Sequence, residues 1–75
     1  MTLRHIRVFE TVCSCGCNTT RAAEKLHMTQ PAVSLAIAEL ETYYGVKLFD
    51  RISRRLYLSE AGKRFLAGAE DILLS

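Results

Sequence analysis

Apolar residues recur along this chain at two different spacings, and the change from one to the other divides it. Leu3, Ile6, Phe9 and Val12/Cys13 stand three and four apart behind Thr2, which is placed as an N-cap. That spacing predicts a helix over about residues 2–14, ended by Gly16 and Asn18. A second, short helix is predicted to begin after Thr20, whose hydroxyl can accept from a free backbone N–H, and to run through Arg21 to Leu26 or His27. It carries Ala22 and Ala23 side by side, small enough to let another helix come close. The third opens with Thr29-Gln30-Pro31, where threonine caps and proline is tolerated because a first-turn N–H has no helical partner. Val33, Ile37, Leu40 and Tyr44 then follow at spacings of four, three and four, defining one inward face as far as Gly45. The stretch from His27 to Thr29 has the length of the turn in a helix-turn-helix unit.

After Gly45 the period changes. Val46, Leu48 and Phe49 lead into an arginine-rich bend and Leu56-Tyr57-Leu58 alternate beyond it, predicting a two-stranded hairpin with Ser53-Arg54-Arg55 near its tip. No Asn-Gly or Asp-Gly pair marks the turn itself. Ser59 is placed to cap a last helix, whose Ala61, Phe65, Ala69, Ile72 and Leu73 form an apolar stripe. The predicted fold class is mainly α: a winged helix-turn-helix with a three-helix core, a short two-stranded wing and a C-terminal linker helix. Residues 1–58 form the winged unit and 59–75 the linker helix.

Size narrows what such a fold can do. Seventy-five residues enclose one small core and leave no room for a catalytic cleft between lobes, so surface binding is the expected activity. The net charge is only +2, but between residues 47 and 64 Lys47, Arg51, Arg54, Arg55, Lys63 and Arg64 face only Asp50 and Glu60. A patch of that kind suits a polyanion. Paired carboxylates, a Ser-His-Asp arrangement and a glycine-rich phosphate loop are all missing, so no enzyme is read here. There is no run of eighteen apolar residues, and the start MTLRHIRVFE lacks the continuous apolar stretch of a signal peptide; the chain is read as cytoplasmic, without a membrane partner.

Cys13, Cys15 and Cys17 invite a metal or redox reading, since thiolates bind zinc and oxidise when their pKa is low. Their i, i+2 spacing is poor for disulfides and short for zinc, and only His5 and His27 are available as further ligands, so no metal site is assigned. Idle or buried thiols in a reducing compartment are the plainer reading.

The third helix carries the chemistry. With Val33, Ile37, Leu40 and Tyr44 inward, Pro31, Leu35, Ala38 and Thr42 point outward, flanked near the start by Gln30 and Ser34. A major groove admits a helix; glutamine can pair bidentately with an adenine edge, serine serves either base type, and apolar groups meet a thymine methyl. The helix N-terminus adds partial positive charge for a phosphate. Residues 30–42 hold no Lys or Arg, while Glu39 and Glu41 are acidic, so attraction for phosphate falls to Arg21 and Lys25 on the second helix and Arg51, Arg54 and Arg55 on the wing. A winged-helix module that binds only proteins and a thiol-based sensor are the two rival readings.

Five elements in order, TRAAEKL, TQPAVS, IAELE, GVKLFDR and LSEAG, make the chain resemble the N-terminal DNA-binding domain of LysR-type bacterial transcription regulators over about residues 1–73. The resemblance implies that the second and third helices form the DNA-binding unit, reading an inverted-repeat operator in double-stranded DNA. Helix 30–44 would enter the major groove while wing 50–58 meets the flanking backbone and minor groove. Thr20, Arg21, Thr29, Gln30, Pro31, Ser34, Leu35, Arg51, Arg54 and Arg55 are the implied DNA contacts. Phe65, Ala69, Ile72 and Leu73 would pair the last helix with its copy in a homodimer or higher homo-oligomer, with RNA polymerase as a further partner. No cofactor is implied for this part; a small-molecule effector would bind a further, C-terminal domain. Two positions depart from the family's usual residues: Leu35 stands where arginine is frequent, and Thr19, beside the CSCGC segment, where an aromatic is common.

Overall fold

The computed structural model describes the backbone of residues 3–74 and the side-chain surroundings of residues 3–69. Thr2, and the side chains of Ile72 and Leu73, lie outside the described residues. The elements run α1 (Leu3–Ser14), α2 (Thr19–Leu26), α3 (Gln30–Tyr44), β1 (Phe49–Ile52), β2 (Arg55–Leu58) and α4 (Glu60–Leu74). This is the winged helix-turn-helix order that the periodicity predicts.

Local chemistry sets the boundaries. Thr29 is extended, at φ −82° and ψ 154°, and its Oγ1 accepts from the Ala32 N–H at 3.2 Å, so α3 starts where threonine and Pro31 place it. Gly45 closes the same helix in the left-handed region, at φ +66°. The start of α2 corrects the sequence reading. Asn18, not Thr20, is the N-cap: it is extended, and its Oδ1 accepts from the Arg21 N–H at 3.0 Å, leaving Thr20 inside the first turn. Asparagine caps at least as well as threonine, so side-chain type alone could not choose between them. His27 ends α2 in the left-handed region, where its N–H donates to the Ala23 and Glu24 carbonyls.

The core forms where α1, α2 and α3 meet. Phe9, Val12, Val33 and Leu40 are fully buried, and Ala22 and Ala23 bring α2 against its neighbours as their size suggested. Phe9 ties in the rest of the chain, its ring 5.4 Å from Phe49 on β1 and 5.2 Å from Phe65 on α4. Tyr44 is a second correction: predicted on the inward face, it is 45% exposed, its ring lying edge-to-face with Tyr43 and Phe65, each at 5.0 Å. The last turn of α3 runs past the packed part of α1 and α2, so the period continues after the core has ended. Ala36, which the stripe omitted, is buried.

The wing is held at its base. Phe49 pairs with Leu58 and Ile52 with Arg55 in antiparallel register, leaving a two-residue turn of Ser53 and Arg54. Both sit in the left-handed region, φ +51° and +66°, the backbone of a type I′ turn without the asparagine or glycine that usually supplies it. Each such residue costs about 1 kcal/mol or more, offset by the packing of Phe49 and Leu48 in the core. Glu41 secures the other end: its Oε2 accepts from the N–H groups of Leu48, at 2.7 Å, and Phe49, at 3.3 Å. Ser59 joins wing to α4, donating through Oγ to the Lys47 carbonyl and accepting from the Gly62 N–H at 2.9 Å.

Candidate nucleic-acid interface

Helix α3 offers an exposed outer surface. Pro31, Leu35, Ala38 and Thr42 are exposed, Leu35 at 61%, and Gln30 is exposed beside them with Ser34 half-buried. Thr29 and Thr20 are exposed as well, next to each other's helix starts.

The acidic residues of α3 do not compromise this surface. Glu41 spends its carboxylate on the backbone of the wing, and Glu39 bonds the His5 ring of α1 through Oε1, at 3.2 Å. Both turn negative charge toward the domain's own frame. Around the outer face, Arg21, Arg51, Arg54 and Arg55 are all exposed, and among the described residues none of these arginines is in an ion pair. The strand register sorts the wing. Arg51 lies across from Leu56, on the face shared with Phe49 and Leu58, and lines the cleft between wing and α3 with Thr19, Ser34 and Lys47. Arg54 and Arg55 border a second hollow with Arg51, beside Cys17 and Asn18 of the α1–α2 loop and Thr19 at the start of α2. Basic side chains therefore flank the reading surface on the wing side, the arrangement a phosphate backbone needs.

Sequence reasoning missed Thr19. The Gln30 carboxamide donates through Nε2 to Ser34 Oγ at 2.6 Å and to Thr19 Oγ1 at 3.1 Å, so residues 11 apart are joined at the crossing of α2 and α3. Only the unusual residue type at position 19 could have drawn attention to it.

The thiols lie off the outer face of α3, although Cys17 borders the arginine-lined hollow. Cys13, Cys15 and Cys17 form no disulfide with one another and are half-buried at the edge of the core. Burial pushes the Cys17 thiol up from its ordinary range, against the pull of a hydrogen bond with the Leu58 backbone, which keeps it a weak nucleophile. On α4, Ala69 is 2% exposed and belongs to the domain's own core, and Phe65 packs on Phe9 and Tyr44. The stripe that the sequence assigns to a partner is thus used internally at Ala69, because α4 folds back over α1. Among the described residues, no helix is long and apolar enough to cross a membrane.

Known proteins share both sequence and shape. The family model for bacterial regulatory helix-turn-helix proteins of the lysR family matches residues 3–63. The regulator CfxR of Cupriavidus necator is 45% identical over 73 residues, 97% of this chain but 23% of that protein. The Hca operon transcriptional activator HcaR of Escherichia coli is 48% identical over 73 residues, 97% of this chain and 24% of its own length. The chain therefore spans about a quarter of these relatives. The crystal structure of the complex of BenM_DBD with catB site 1 DNA superposes with a TM-score of 0.90 at 37% identity, covering 97% of this chain and 77% of that one. With five motifs in order, the helix-turn-helix and wing in place and a family model spanning most of the chain, this protein belongs to the lysR family of bacterial regulatory helix-turn-helix proteins.

Proposed function

We propose that this chain is the sequence-reading part of a transcription regulator, binding double-stranded DNA with α3 in the major groove and the wing along the flanking backbone. One observation carries the reading: the outer face of α3, from Gln30 through Leu35 to Thr42, is exposed, and the arginines that flank it have no ion pair among the described residues. A groove about 12 Å wide takes a helix of this kind, and small side chains let it approach the base edges. The superposition on a protein determined in complex with DNA supports binding to double-stranded DNA.

In this reading Gln30, Ser34 and Leu35 meet bases; Pro31 lies against the groove wall; Thr20, Arg21, Thr29, Arg51, Arg54 and Arg55 hold phosphates. Residues 1–58 act as the reading unit and 59–75 as the helix that joins two copies, so that paired α3 helices address an inverted repeat. Because Ala69 is committed to its own core, pairing would fall to the later part of α4, around Ile72 and Leu73. For the whole regulator we propose a small-molecule effector bound outside this chain and RNA polymerase as a further partner, with the cytoplasm as the place where it meets its operator. No catalytic role is assigned.

Selection of binding sites from random duplexes tests the reading. Recovery of two half-sites with dyad symmetry, spaced by about one helical turn, is the expected result. Failure to retard any duplex at low salt would leave a protein-binding module instead. Gln30→Ala is expected to cost about 1–3 kcal/mol and to relax preference at a single base pair, measured by competition among duplexes mutated one position at a time.

A further inference from the structure

A glutamine that reads DNA usually offers a donor and an acceptor together. Gln30 does not. Its amide nitrogen has two hydrogens, and the contacts to Ser34 Oγ at 2.6 Å and Thr19 Oγ1 at 3.1 Å engage both. The two hydroxyls are fixed from different directions. Ser34 stands one turn along α3 from Gln30. Thr19 is the first residue of α2, half-buried and held by the Asn18 cap, and threonine is stiff about its first side-chain torsion. With the nitrogen engaged by both anchors, the polar atom of the carboxamide left for a partner outside the chain is the carbonyl oxygen Oε1.

We infer that Thr19 is a positioning residue for base recognition: through its hydroxyl it sets the Gln30 carboxamide so that an acceptor, and no donor, meets the DNA. The inference rests on α3 lying in the major groove. There, adenine N6 and cytosine N4 are amino donors, whereas guanine O6 and N7 and thymine O4 are acceptors. An acceptor at Gln30 therefore selects amino bases over keto bases on the strand it meets. Bidentate pairing with adenine, the usual expectation for glutamine, needs a hydrogen that is already in use. Replacing the Thr19 hydroxyl by a methyl frees that hydrogen and lets the carboxamide turn.

The experiment starts from the selected site and measures Kd of the chain for four duplexes that differ at the base pair to which Gln30→Ala is indifferent. Adenine and cytosine duplexes are expected to bind about fivefold more tightly than guanine and thymine duplexes, the worth of one neutral hydrogen bond. Thr19→Val, with its thermal midpoint checked against the parent, is expected to reduce that ratio below about twofold. Thr19→Ser should restore it, and Gln30→Glu, which presents only acceptors, should keep the amino preference while binding all four duplexes more weakly. A guanine or thymine preference in the parent, an unchanged ratio in Thr19→Val, no recovery in Thr19→Ser, or a keto preference in Gln30→Glu would each overturn the inference. If Gln30→Ala alters no position at all, the failure lies instead in the assignment of α3 as the reading helix.

Discussion

Gly62→Ala is expected to lower stability by about 2 kcal/mol or more, although alanine is the better helix former by about 1 kcal/mol. A Cβ at position 62 would lie 2.2 Å from the Leu48 carbonyl oxygen and 2.6 Å from Leu58 Cδ1. The leucine side chain can give way, but the carbonyl belongs to backbone that accepts from the Ser59 N–H at 3.0 Å. To make room, α4 would have to leave β1 and β2, pulling on the Ser59 bridge between Lys47 and Gly62. The steric term wins over propensity. Gly68 is the internal control: a Cβ there meets nothing within 4 Å, so Gly68→Ala should gain up to about 1 kcal/mol. Thermal unfolding measures both, with each kcal/mol worth roughly 4–8 °C in a domain of this size. A Gly62→Ala midpoint at or above the parent's would show that α4 does not seat on the wing as described.

Replacing Arg51, Arg54 and Arg55 together by glutamine should leave the fold intact and weaken DNA binding by about two orders of magnitude near 0.1 M salt. All three are exposed, and the left-handed turn at Ser53-Arg54 owes nothing to the charge. Each phosphate contact releases condensed counterions, so the slope of log affinity against log salt should become shallower by about 2.7. Preference among bases should not change, since phosphates carry no sequence information directly. Titration of fluorescent duplexes at several salt concentrations gives the slope, and an unaltered slope would remove the wing from the interface.

Much of this fold can be read from local chemistry where a boundary carries its own cap. Thr29-Gln30-Pro31 and Gly45 bracket α3 with side-chain and backbone features that act over three or four residues. Where local signals compete, reading fails. Asn18, Thr19 and Thr20 can all cap a helix, and only the extended backbone of Asn18 decides between them. Periodicity likewise reports which way a side chain points but not whether anything waits there, and so it places Tyr44 inside when the structure leaves it exposed. The wing shows the reverse case: its turn has no favourable residues, yet the two strands anchored through Phe49 and Leu58 close it on Ser53 and Arg54.

The site divides in the same way. That Gln30, Pro31, Ser34 and Leu35 lie together at the start of α3 is legible because one helix places them and the motif is local. The harmless orientation of Glu39 and Glu41 was not, since His5 and the Leu48 and Phe49 amides come from other elements. Nor was the bond from Gln30 to Thr19, which exists only because two helices cross.

The claim beneath all of this is that the outer face of α3 touches DNA. Backbone amide shifts of the isotopically labelled chain, followed as a short duplex carrying the selected site is added, test it most directly. Contact through α3 and the wing would move signals from residues 19–21, 29–38 and 51–57 and leave Tyr43 to Val46 still. Movement confined to the Tyr43, Tyr44 and Phe65 side, with Gln30 to Ala38 unmoved, would contradict it.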